Sequence, residues 1–141
     1  MAAVTELLLT ALYIPIVFFC VRVVCVYGRS FWPDFVSRPT DDPVRWMRLG
    51  IVVGFFSTAV HTAWWGSVRW FGWFGFHDPS KWMADQDWPV LLLRIGLLVA
   101  AVCHLEAVWV GRSNIGRLKR TSLTAGALWL LAAVVLYAGT P

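Results

Sequence analysis

Four apolar stretches, residues 5–27, 47–74, 88–110 and 121–137, occupy most of this chain and leave only short polar connections between them. The hydrocarbon core of a bilayer is about 30 Å thick, and a helix rising 1.5 Å per residue crosses it in roughly 20 apolar residues. In lipid, each backbone N–H and C=O must find its partner within the spanning element, so runs of this length and uniformity are restricted to helices. Composition agrees: 59% of residues are hydrophobic and 14% charged, with mean hydropathy +0.66, above the apolar share and below the charged share of a soluble domain. The expectation is an all-α integral membrane protein, a single domain over residues 1–141, with four transmembrane helices in an antiparallel bundle.

The first run carries Glu6 in place of a basic leader, and no small-residue cleavage site follows it, so it is read as a retained span. Pro15 inside that run removes a helical hydrogen bond and predicts a modest bend. Asp42-Pro43 reads as a helix start, a carboxylate capping free N–H groups before a proline suited to the first helical position. Asp78-Pro79 reads as a second cap, opening a short surface helix with Trp82, and Asp87 with Trp88-Pro89 opens the third span. Residues 28–46, with three prolines among arginines and aromatics, read as a loop lying on the membrane surface. Cys20, Cys25 and Cys103 fall in or at the edges of spans, the pattern of free apolar thiols.

Charge placement sets orientation. Arg29, Arg38, Arg45, Arg48, Arg112, Arg117, Lys119 and Arg120 all belong to one side, whereas the other has Lys81 and Arg69 beside Glu6, Asp78, Asp85 and Asp87. By the positive-inside rule, loops 28–46 and 111–120 are cytoplasmic, loop 75–87 is outside, and both termini face out, in what is expected to be a bacterial inner membrane. Arginines that flank spans in this way are topological, so no nucleic-acid partner is expected. The aromatics from Trp64 to Trp88 read as a collar at the outer interface.

Two small-residue stripes end in histidine: Gly50, Gly54, Thr58 and His61 in the second span, with Ser57 and Trp65 on the same side, and Gly96, Ala100 and His104 in the third. Such stripes let helix backbones approach closely and predict a seam between spans two and three. His61 and His104 are also candidate axial ligands for haem b, which four-helix membrane cytochromes hold between imidazoles. Counting residues from the span midpoints offsets them by roughly 9 Å, whereas two ligands of one iron lie nearly level. Arg22 and Glu106 come out at similar depth and are expected to form an intramembrane ion pair. No metal site is expected, because Cys20, Cys103 and His104 do not converge, and Ser57 with His61 lacks an acid for nucleophilic catalysis.

With no catalytic constellation, the chain reads as a non-enzymatic protein that self-associates or packs with partner subunits in the lipid bilayer, without a cofactor. Its size and bareness resemble those of the multi-span proteins of phage lysis cassettes, which implies a small pore or lesion former of the holin type. An accessory subunit of a membrane complex fits the same features. Two alternatives use the ionisable residues: an electron-transfer anchor subunit binding haem b or quinone through His61 and His104, with Arg22 or Arg94 near a propionate or quinone oxygen, and a small proton-coupled transporter relying on Glu106.

Overall fold

The computed structural model describes residues 2–29, 31–111 and 117–138, and every element among them is helical. In chain order these are α1 (Ala2–Arg29), α2 (Phe31–Ser37), α3 (Pro43–Trp73), α4 (His77–Ala84), α5 (Trp88–Val110) and α6 (Arg117–Ala138). Three are long and apolar enough to cross a membrane: α1 through Thr10–Arg29, and α3 and α5 along their whole lengths. In α6 the apolar part is the shorter Arg120–Val135. Arg112 lies outside the described residues, as do the side chains of Glu6, Arg117 and Lys119.

The start of α3 is fixed by its own sequence. Asp42 is the cap, one carboxylate oxygen accepting from the Val44 backbone N–H at 2.9 Å, and Pro43 follows in the first turn. The other oxygen pairs with Arg38 at 2.6 Å. Burial opposes the charge on Asp42, but the Arg38 hydrogen bond, the Val44 N–H and the nearby Arg48 outweigh it and hold the carboxyl below its ordinary value. Arg45 lies 4.0 Å from the Phe35 ring centroid and donates to the Arg38 carbonyl, while the Trp46 indole N–H donates to Thr40. These contacts tie α2 to the root of α3. The sequence reading took 28–46 as an irregular loop; residues 31–37 are instead helical, because Pro33 falls in the first turn, where its missing N–H costs no intrahelical bond.

At its other end α3 stops at Trp73, and Gly75 turns the chain with φ +84°, a left-handed conformation that favours glycine. Helix α4 then folds back over α3: the Ser80 hydroxyl donates to the Val68 carbonyl at 2.8 Å, and the Trp64 indole N–H to the Met83 carbonyl at 3.0 Å. Asp78 is not the cap expected from Asp-Pro; the cap position is Phe76, and Asp78 sits within the first turn. Asp87 does precede α5, but its side chain makes no capping bond. Trp64 stands edge-on to Trp88 at 4.9 Å and tilted to Trp82 at 6.4 Å, joining α3, α4 and α5 at this aromatic end.

Neighbouring long helices run antiparallel. Tyr13 of α1 lies opposite Gly66 of α3; Ser57 and Gly50 of α3 lie opposite Gly96 and His104 of α5; and His104 in turn meets Gly126 of α6. Helix α3 lies between α1 and α5, and α6 packs on α5. A small apolar cluster of Leu93, Leu97 and Ala133, with Trp129 and Ala132 against it, joins α5 to α6. Trp129 reaches further, its ring 5.5 Å from that of Phe55 on α3.

Candidate functional site

Helices α3, α5 and α6 meet around His104, which is 1% exposed. Its Nδ1 lies 2.7 Å from the Ala100 carbonyl one turn earlier. A carbonyl only accepts, so Nδ1 carries a proton, and in the neutral form of that tautomer Nε2 is an acceptor. Glycines make the space. A Cβ on Gly50 would stand 2.5 Å from Nδ1 and Cε1 of the ring, and one on Gly126 would stand 3.2 Å from the His104 Cβ. Further along, a Cβ on Gly96 would overlap the Ser57 hydroxyl, and one on Gly54 would stand 2.8 Å from the Trp129 ring.

The histidine-ended stripe of α3 therefore serves two neighbours. Gly50 and Ser57 face α5, whereas Gly54 faces α6. Thr58 folds back onto its own helix, its hydroxyl donating to the Gly54 carbonyl at 2.8 Å, and Ser57 does the same to Val53 and Gly54. On α5, Gly96 and Ala100 are buried in the seam together with His104. A second face of α3, with Ala59, Thr62 and Gly66 buried, carries α1. The sequence reading missed that face, although small residues at 59, 62, 63 and 66 repeat at helical spacing. Gly126 was read only as one of the small residues of the fourth span, because its role depends on which residue lies across from it.

The two candidate haem ligands stand apart. His104 is level with Gly50, and His61 lies eleven residues further along α3, about 16 Å at 1.5 Å per residue. The His61 ring is half-buried, 6.4 Å from the Trp65 ring on the same helix.

Arg22 and Glu106 are not brought together either. Arg22 is exposed on α1, which packs on α3, while Glu106 is half-buried on α5. Cys25, three residues beyond Arg22, lines a groove with Phe56, which places Arg22 near residues 55–59 of α3; Glu106 lies beyond His104, past the level of Gly50. The axial gap is about 12 Å. Equal depth was inferred from span midpoints, and it fails because α3 overshoots α1 at the basic end. Among the described residues no group of three or more His, Cys, Asp or Glu side chains converges, and all three cysteines are free thiols.

Grooves flank α3 on both sides. One, of about 370 Å³, runs between α1 and α3 past Tyr13, Val17, Thr62 and Gly66. Another, of about 440 Å³, opens between α3 and α6, with His104 lining it among Ile51, Phe55, Leu128 and Trp129. No protein-family model matches the chain, and no curated protein or solved structure is similar to it at a significant level.

Proposed function

We propose that this protein is a non-enzymatic integral membrane protein that acts by self-association, with α1 at the contact between copies, in the manner of a small pore or lesion former. In this reading α6 is the fourth span, the arginine-rich connections at 28–46 and 111–120 are cytoplasmic, both termini are outside, and the host membrane is a bacterial inner membrane.

One observation carries the proposal. Arg22 is exposed on α1 seven residues before the helix ends, about 10 Å in from the basic end. Ionisable side chains within spans nearly always face a bundle interior or a water-filled cavity, because a charge against hydrocarbon is costly. A single copy leaves Arg22 outside its packing, on a helix that rests on α3. An assembly with α1 inward would give the guanidinium water or a neighbour's polar groups.

Cys25 tests this directly. It is exposed, and at i+3 it shares the face of Arg22, whereas Cys20 and Cys103 are buried. Oxidative cross-linking in native membranes is expected to give a disulfide-linked dimer that disappears in Cys25→Ser and weakens in Arg22→Leu. Induced expression should admit a membrane-impermeant dye in the parent and not in Arg22→Leu. Intact membranes at high expression, with no Cys25 cross-link, would reject the proposal.

A further inference from the structure

We infer that the groove between α3 and α6 is a binding site for an amphiphile with a phenolic head and a hydrocarbon chain, the quinol class of membrane lipid, whose hydroxyl donates to Nε2 of His104. The ring is oriented for the task. Its Nδ1 is committed to the Ala100 carbonyl, it is seated between Gly50 and Gly126, and the residue lines the groove. An imidazole acceptor in a mainly apolar groove needs a donor, and a buried water needs two to four polar partners, whereas the lining carries polar side-chain atoms only on His104, Thr121 and Trp129. A donor carried on an apolar chain meets both demands.

The shape of the groove favours such a ligand over a protein segment. At the deep end Trp129 closes against α3, where even a Cβ on Gly54 would stand 2.8 Å from its ring. A helix is about 10 Å across, too wide for a cleft that the Trp129 ring bridges from α6 to Gly54 of α3, whereas a single hydrocarbon chain can enter it. The volume of about 440 Å³ falls within the range of small-molecule sites. The groove begins at Met47 and Thr121, near the basic starts of α3 and α6, so a head at His104 leaves the chain to run inward past Phe55 and Leu128. Phe55 and Trp129, edge-to-face at 5.5 Å, give that stretch an aromatic wall. A further buried hydroxyl, Ser122 Oγ, lies one turn from Gly126 and has no hydrogen-bond partner among the described residues.

The test uses the whole chain in phosphatidylcholine nanodiscs with two photoactivatable probes, an alkylphenol bearing a diazirine on its chain and the methyl ether of the same molecule. Labelled residues are mapped by peptide mass spectrometry. The phenol is expected to label α3 and α6 around Phe55 and Leu128 about fivefold more than the ether, the ratio that one net hydrogen bond supplies. In His104→Phe the phenol should fall to the level of the ether, and in Leu128→Trp, at an exposed groove edge, both should decline. Equal labelling by the two probes in the parent protein would mean annular lipid only, and absence of label from the groove would mean that another segment covers it. Either result overturns the inference without relying on any variant to fold.

Discussion

Gly50→Ala places one methyl group where the structure leaves no room. The new Cβ would stand 2.5 Å from two atoms of the His104 ring and 3.1 Å from the Ala100 carbonyl oxygen. Ordinary carbon contacts begin near 3.5 Å, so the ring or the helix must give by about 1 Å. Neither moves easily. Backing the ring away strains its bond to Ala100 and drives it toward Gly126, where the His104 Cβ is already close. Overpacking of this kind costs about 1–3 kcal/mol and a strained hydrogen bond about 1 more, against which alanine's helix propensity returns about 1. The net expectation is a loss of about 1–3 kcal/mol. Gly28→Ala is the control: nothing lies within 4 Å of its Cβ position, so the same change should be neutral or stabilising by up to about 1 kcal/mol. Cys103, 4% exposed and next to His104, is a built-in reporter. Thermal reaction with a fluorogenic maleimide, in a Cys25→Ser background to silence the exposed thiol, should show Gly50→Ala opening several degrees below the parent and Gly28→Ala at or above it. Equal midpoints for the two variants would refute the close approach of α3 to α5.

Gly96→Ala, whose Cβ would overlap the Ser57 hydroxyl, should lose about 1–3 kcal/mol and regain part of it when combined with Ser57→Gly, measured by the same thiol assay. Asp42 has a folded-state value below its ordinary 3.8, so its contribution is present above about pH 4 and is lost as the pH falls through the folded value. The stability difference between parent and Asp42→Asn should therefore shrink between pH 5 and about pH 3 in paired thermal melts; a constant difference would mean that the Arg38 pair is immaterial. Gly75→Ala forces a side chain into the left-handed turn at φ +84° and should cost about 1 kcal/mol, seen as faster hydrogen exchange in α4.

Much of this protein follows from local chemistry. Apolar runs of about 20 residues prescribe helices in lipid whatever their neighbours, and the cap at Asp42 lies in two adjacent residues, so α1, α3 and α5 and the start of α3 were legible from the sequence. The short helix α4 was legible too, though the residue that begins it was not, because a carboxylate can serve equally within a first turn or just before it. What the sequence left open is axial register. Helices of unequal length have midpoints that need not align, and for this reason Arg22 and Glu106 were paired on paper and are offset by about 12 Å along the helix axes in the fold. The seam between α3 and α5 was expected from the two stripes, but how the α3 stripe is shared was not, since Gly50 and Ser57 meet α5 whereas Gly54 meets α6. Periodicity specifies that a face is small or apolar, and only packing specifies its partner. His104 shows the distinction most sharply: its residue type and stripe were visible in the sequence, whereas its seat between two glycines and its place in a lipid-sized groove exist only because three helices converge there.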